Sequence, residues 1–213
     1  MMKDFPVFST DYGVASLILK EIPYRQEAYI RIQSTQEPEQ LLQECISFCT
    51  ACGAEKIYAA GHSILEEYPL HTAVWQMRGT LFLSEEEIPS MFPVTEQTVS
   101  QWRELYNRKM RSVHNASTLE AKDEARILDS GGAYFIHDSG IPLGIGWLEE
   151  NRLSAIAALK PGAGELVCKA MQSLIPQQQI TLEVASANEK AIRLYERLGF
   201  LKTQELSRWY RVK

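Results

Sequence analysis

Ser186-Ala187-Asn188-Glu189-Lys190-Ala191-Ile192-Arg193-Leu194-Tyr195-Glu196-Arg197-Leu198-Gly199-Phe200 is the stretch on which the reading of this chain turns. Ala191, Leu194, Tyr195 and Leu198 recur at three- and four-residue steps, which puts them on one face of a helix, with Lys190, Arg193 and Arg197 mostly elsewhere. Ser186 and Glu189 fit a capping box, in which hydroxyl and carboxylate satisfy the free amides of the first turn. Gly199 suits the left-handed position after the helix, and Phe200 can fold back as the apolar partner of that cap. A well-capped surface helix accounts for all of this. It does not by itself require Asn188 or Tyr195.

Upstream of this helix, Ile180–Ala185 reads as a strand, and a helix over Glu165–Leu174 follows the tight Pro161-Gly162-Ala163-Gly164 turn. Before it come strands at Ala133–His137, Pro142–Leu148 and Leu153–Leu159, the first two joined by the hairpin turn Asp138-Ser139-Gly140. Val94-Thr95-Glu96 leads into a helix from Gln97 to about Val113, with Trp102, Leu105, Tyr106 and Met110 on one face, and a second helix is expected over Leu119–Leu128. Phe200–Val212 ends the chain with strand character.

The N-terminal part reads as strands around Ala15–Leu19 and Ala28–Ile32, a helix from Pro38 to Gly53, and strands at Lys56–Ala60 and Leu70–Met77. Glu85-Glu86-Glu87 with Pro89 and Pro93 suggests a boundary, giving an α/β region over 1–90 and a second domain over 91–213. The strand–helix–strand order of Ala28–Ala60 parallels that of Leu153–Ala185. A decayed duplication and a chance likeness of two common βαβ units both account for it.

The chain has 213 residues, 45% of them hydrophobic, enough for one sizeable core or two modest ones. Its formal charge of −5 comes from 22 basic and 27 acidic residues without a long run of either sign, which argues against a nucleic-acid partner. No apolar stretch approaches the ~20 residues that span a bilayer, and Met1–Pro6 lacks the apolar segment of a signal peptide. A cytoplasmic protein with four reduced cysteines and no membrane association is therefore expected. Cys45, Cys49 and Cys52 have the C-x3-C-x2-C spacing of iron–sulfur ligands in radical enzymes. Yet they continue the apolar stripe of Leu41, Leu42 and Ile46 on one helix, so they read as core. His62, His71, His114 and His137 are scattered, and no metal site is expected.

The run Leu182-Glu183-Val184, Asn188, Ala191-Ile192, Leu194-Tyr195-Glu196 and Leu198-Gly199-Phe200 resembles the C-terminal motif of the Gcn5-related N-acetyltransferase (GNAT) superfamily, and the element order from about residue 92 fits it. The resemblance implies an α/β (α+β) fold with a mixed, mostly antiparallel central sheet flanked by helices. The smaller α/β region before it would be a degenerate half of the same fold. It also implies acetyl-CoA as cosubstrate and direct transfer of its acetyl group to a primary amine, on a small molecule or a peptide. On this resemblance the main chain at Ala157, Ala158 and Leu159 would line the cofactor, Gly162, Ala163 and Gly164 would hold the pyrophosphate, and Asn188 would touch the cofactor arm. Tyr195 would give its proton to the departing thiolate.

Two places depart from the family pattern. Its pyrophosphate loop has Arg or Gln, two residues, Gly, one residue, then Gly or Ala, several residues beyond a proline. Here Pro161 runs straight into Gly162-Ala163-Gly164 and Leu159 stands three before Gly162, so the loop is shortened and has lost its polar side chain. Gly-x-Gly and a helix N-terminus still suit a phosphate. Glu165 opposes the ligand's charge, and Lys160 can offset it. The central strand Leu153–Leu159 carries no acid, which leaves Glu149, Glu150 and Glu183 as candidates for the base; a lysine-like amine, with pKa near ~10, must lose a proton before attack. Cys168 reads as core rather than nucleophile. Three activities follow: an N-acetyltransferase, a catalytically weak CoA-binding or interaction module of the same fold, and a radical enzyme. The acceptor and a homodimeric state stay open.

Overall fold

Apolar alternation decides the layers. The computed structural model describes residues 6–80, 88–175 and 178–213, and these divide into two compact units, Met1–Val74 with Leu206–Lys213, and Trp75–Glu205. The acidic run Glu85-Glu86-Glu87 and residues Met1–Phe5 lie outside the described residues. The units divide inside two strands, β5 (Leu70–Gly79) and β11 (Leu201–Arg211), each of which carries residues of both.

The unit with the N-terminal residues holds β1 (Val7–Thr10), β2 (Gly13–Ile18), α1 (Ile22–Arg25), β3 (Glu27–Thr35), α2 (Pro38–Ala51) and β4 (Lys56–Ala60). β1 and β2, and β2 and β3, pair antiparallel, and β3 and β4 are parallel across α2. α2 turns Leu41, Leu42, Cys45 and Cys49 into a core with Ala15, Leu17, Ala28, Ile30 and Ile57. Burial pushes the Cys45 thiol up to about 11 and the Cys49 thiol up to about 12, so both stay protonated, whereas a ligand to iron must be a thiolate. Cys45 and Cys49 continue the packing stripe of Leu41 and Leu42, as expected, whereas Cys52 is the exposed residue that caps α2 and packs in no core among the described residues.

The other unit holds β6 (Ser90–Pro93), α3 (Val99–Met110), α4 (Glu124–Ser130), β7 (Ala133–Asp138), β8 (Ile141–Glu149), β9 (Arg152–Ala158), α5 (Gly164–Gln172), β10 (Ile180–Ala185) and α6 (Glu189–Arg197). Its strands lie in the order β5-β10-β9-β8-β7-β6, antiparallel from β6 to β9 and parallel between β9 and β10. Alternate residues serve opposite cores. On one face Leu143, Leu148, Leu153, Ile180, Leu182 and Val184 pack with α5 and α6; on the other Ile145, Trp147, Ala155 and Ala157 pack with Trp102, Tyr106 and Ile127 of α3 and α4. α5 approaches β8 at Gly144 and Gly146, where an added Cβ would come within 2.6 Å of Val167 and 2.3 Å of Met171.

The protein is therefore α+β, with mostly antiparallel strands flanked by helices. The helix expected over Leu119–Leu128 starts later. Asn107 of α3 donates to the Leu119 carbonyl and accepts the Leu119 amide at 2.8 and 2.9 Å, and a single 3-10 turn at Ala121–Asp123 precedes α4. No helix among the described residues is long and apolar enough to cross a membrane.

Candidate active site

β9 and β10 pair at Thr181↔Arg152 and Leu182↔Leu153 and no further, although both strands run on to Ala158 and Ala185. Their near ends are fastened by the Thr181 amide to the Asn151 carbonyl at 2.9 Å and the Asn151 side-chain amide to the Gln179 carbonyl at 3.3 Å. β9 is also irregular on its other edge at the same level. Trp147 pairs with Ala155 but Leu148 with Leu153, so Ser154 is an extra, bulged residue. A bulge bends its strand and raises the local twist. It falls one residue past Leu153, the last rung shared with β10, and beyond it the two strands are unpaired, which leaves a slot between them.

The repeat suggested by the sequence provides a comparison. β3 and β4 are the same kind of parallel pair, but they stay paired over five positions, Glu27↔Lys56 to Arg31↔Ala60. The bulge of β3 is at Gln33, beyond the paired stretch. One unit has an open βαβ crossover and the other a closed one.

Main-chain groups in β9 alternate in direction. The Leu159 amide donates to the Leu143 carbonyl at 2.8 Å and Ala157 lies opposite Ile145, so both face β8. Ala158 and Ile156 point the other way, toward the slot. Of the three residues expected to line a cofactor, Ala158 alone presents its main chain there. Ile156 was not anticipated, because the direction of each amide depends on the bulge, which carries no sequence signature.

The slot opens beside the first turn of α5. Gly162 is at φ 83, with nothing within 4 Å of where a Cβ would sit, and the Ala163 amide closes the turn onto the Lys160 carbonyl at 3.2 Å. The following amides, from Gly164 onward, are the donors that a helix start leaves free of intrahelical partners. Glu165 turns along the helix to Lys169 at 3.1 Å, which draws its charge away from the opening. Lys160 is exposed beside it. Leu194 of α6 seats against Gly164, where a Cβ would lie 2.8 Å from it.

α6 is capped differently from the expectation. Asn188, not Ser186, is the N-cap, its side-chain oxygen accepting the Ala191 amide at 3.4 Å, so the Ser186–Glu189 capping box is not formed. Glu189 instead pairs with Arg193 at 2.7 Å. The other end follows the expectation: with Gly199 at φ 86, its amide reaches the Glu196 carbonyl at 3.0 Å and the Phe200 amide the Tyr195 carbonyl at 2.9 Å. Phe200 completes this end, its ring 5.8 Å from that of Tyr195. Tyr195 is partly buried against the core that contains Cys168. Burial first, and the Cys168 thiol second, hold its phenol well above the usual tyrosine range, so it stays protonated. Among the described residues its hydroxyl makes no hydrogen bond.

The candidate bases lie on the opposite face of the sheet. Glu149 accepts the Ser154 hydroxyl at 2.5 Å, and Glu183 pairs with Arg152 at 3.8 Å. Cys168 is fully buried and burial pushes its thiol up to about 12, so it is not a thiolate nucleophile. Among the described residues no group of three or more histidine, cysteine or acidic side chains could hold a metal.

Residues 145–210 match the FR47-like protein family model. Over the whole chain the fold is similar to that of a GCN5-related N-acetyltransferase from Kribbella flavida, at TM-score 0.57 and 14% identity, covering 97% of this chain and 89% of that one. It is similar also to one from Sphaerobacter thermophilus, at TM-score 0.56 and 10% identity, covering 94% and 76%. A functionally unknown conserved protein from Staphylococcus epidermidis aligns at TM-score 0.60 and 10% identity, over 98% and 93%. No curated protein matches the sequence. The chain has the fold of the GCN5-related N-acetyltransferases, in agreement with the resemblance read from Asn188–Phe200.

Proposed function

We propose that this protein is an acetyl-CoA-dependent N-acetyltransferase that moves the acetyl group to a primary amine by direct attack. The observation that carries this reading is the parting of β9 and β10 at the Ser154 bulge, with the first turn of α5 beside the slot. In this reading the Ile156 and Ala158 main chain pairs with the amides of the cofactor arm, and the amides at the start of α5 take the pyrophosphate with Gly162 leaving room for it. Lys160 adds a positive charge. Asn188, which caps α6, would contact that arm in this reading.

The chemistry asked of the chain is modest. The slot aligns a thioester with an amine, and its own residues move two protons. Tyr195, kept protonated by burial, supplies one to the departing sulfur. Glu149 and Glu183 are the carboxylates available to accept one from the nitrogen. Binding measured by calorimetry with acetyl-CoA, and CoA release measured across a panel of amines, test the reading. Saturable binding together with amine-dependent release is expected, and the absence of binding would overturn it.

A second reading, a CoA-binding module with little turnover, draws on the fact that both carboxylates are already engaged, Glu149 with Ser154 and Glu183 with Arg152. Binding without CoA release from any amine would favour it.

A further inference from the structure

β1 is an end strand of its sheet, and only its β2 side is paired. The Leu17 amide donates to the Pro6 carbonyl at 3.0 Å, and Phe8 and Thr10 lie opposite Ala15 and Gly13. Main-chain groups alternate in direction along a strand, so those of Val7 and Ser9 point away from β2, along an edge that no described strand pairs. Natural sheet edges are usually blunted by lysine, proline or a bulge. Val7-Phe8-Ser9-Thr10 has none of these, and Val7 is 62% exposed. The edge strand β6, by contrast, ends on Pro93.

Beside this edge runs a shallow groove of about 650 Å³, lined from β1 and its turn by Phe8, Thr10 and Asp11 and from α2 by Glu44, Ser47 and Phe48. Phe8 packs toward the α2 core, and its ring lies 5.0 Å from that of Phe48, which stays 41% exposed. The groove is apolar at that pair and acidic along its walls. Between Arg31 and Lys56 the chain has Glu37, Glu39, Glu44 and Glu55 and no lysine or arginine, and Asp11 adds a carboxylate just after β1. Lys213 does meet α2, at Thr50 at 2.9 Å, but it runs beside Ile57 of β4, with β2 and β3 between it and β1.

We propose that the β1 edge docks an extended peptide, which joins the sheet as an added strand with an apolar side chain on Phe8 and Phe48 and a lysine or arginine toward Asp11 and Glu44. Main-chain bonds to Val7 and Ser9 hold the peptide, and the groove selects its sequence. Side chains of an added strand alternate between faces, so the residues that enter the groove stand at every second position. A second copy of this chain fits less well. Antiparallel pairing of two β1 edges about a two-fold axis puts both α2 helices on one face of the joined sheet, where Glu44 meets an equally acidic flank. The surface belongs to the unit without the open crossover, so it stands apart from the acetyltransferase reading.

The test uses the intact chain and short fluorescein-labelled peptides, with binding read by anisotropy at low salt. One peptide alternates valine and lysine, a second alternates valine and glutamate, and a third is the valine–lysine peptide N-methylated throughout. The valine–lysine peptide should bind saturably, the valine–glutamate peptide roughly tenfold more weakly or worse, and the N-methylated peptide not at all. Ser9→Pro removes an outward amide and leaves the bonds to β2 in place, so it should abolish binding. Glu44→Lys should weaken binding by roughly fivefold, the reach of an exposed ion pair. Urea unfolding checks that both variants fold, and Glu44→Lys with the N-methylated peptide decides the matter if Ser9→Pro does not. No saturable binding of the valine–lysine peptide, equal binding of its N-methylated form, or affinity unchanged by Glu44→Lys would overturn the proposal. So would a dimer in sedimentation that Ser9→Pro dissociates, because it would assign the edge to a second copy.

Discussion

At the scale of single residues Tyr195 has a packing role and a proposed catalytic one, and they can be separated. Its ring packs against Phe200 at the helix cap, and burial keeps its hydroxyl protonated. Tyr195→Phe keeps the ring, so urea unfolding should change little. Turnover should fall by on the order of 10²-fold while acetyl-CoA affinity stays largely intact. Unchanged turnover would show that another group supplies the proton. The direction of the phenol's shift gives a second expectation. Burial keeps Tyr195 protonated above the ordinary tyrosine value of ~10, so a rate profile below that pH should have no alkaline limb removed by Tyr195→Phe. The role proposed for Tyr195 comes only from a family resemblance, since the physical pattern of α6 is complete with any large apolar residue there. Ser154 was not legible at all: a serine in a strand announces neither a bulge nor a partner five residues back.

At the scale of elements, α6 depends on its two caps. Asn188→Ala removes the side-chain acceptor of the Ala191 amide and should cost about 1 kcal/mol in chemical unfolding, whereas Asn188→Asp, with a charge favoured at a helix start, should cost less. If Asn188→Ala also weakens acetyl-CoA binding by more than its effect on folding accounts for, the residue touches the cofactor arm as well. Equal affinity would confine it to capping. Strands and helices with strong periodicity were readable nearly to their ends: Lys56–Ala60 and Ile180–Ala185 coincide with the expectation, and the α6 helix ends one residue early. The failures have local causes. β1 and β6 are four-residue edge strands too short to show a period, and β6 ends on a proline that an edge tolerates. The late start of α4 comes from the Asn107 clamp on Leu119, a contact across twelve residues that no local pattern contains.

At the scale of the molecule, three buried thiols couple folding to pH. Cys45 is pushed up to about 11, and Cys49 and Cys168 to about 12, all by burial. In the unfolded chain a thiol ionises near ~8.5, so above that pH the unfolded state binds fewer protons than the native one. Stability is therefore full below about pH 8.5 and declines as pH rises toward the native values. Urea midpoints at pH 8 and pH 10 should differ in that direction, and Cys168→Ala should reduce the difference despite lowering stability at both. The same scale separates the two crossovers. The unit with β3 and β4 remains zipped along five rungs, and the unit with β9 and β10 opens after two. The sequence made these look like copies, because strand identity is written in apolar alternation while the extent of pairing is not. The open crossover carries the functional reading, and isothermal calorimetry with acetyl-CoA puts it to the test. A saturable, single-site titration weakened by Lys160→Glu at the mouth of the slot is expected. A titration with no heat of binding and no shift of the unfolding temperature at millimolar acetyl-CoA would contradict it.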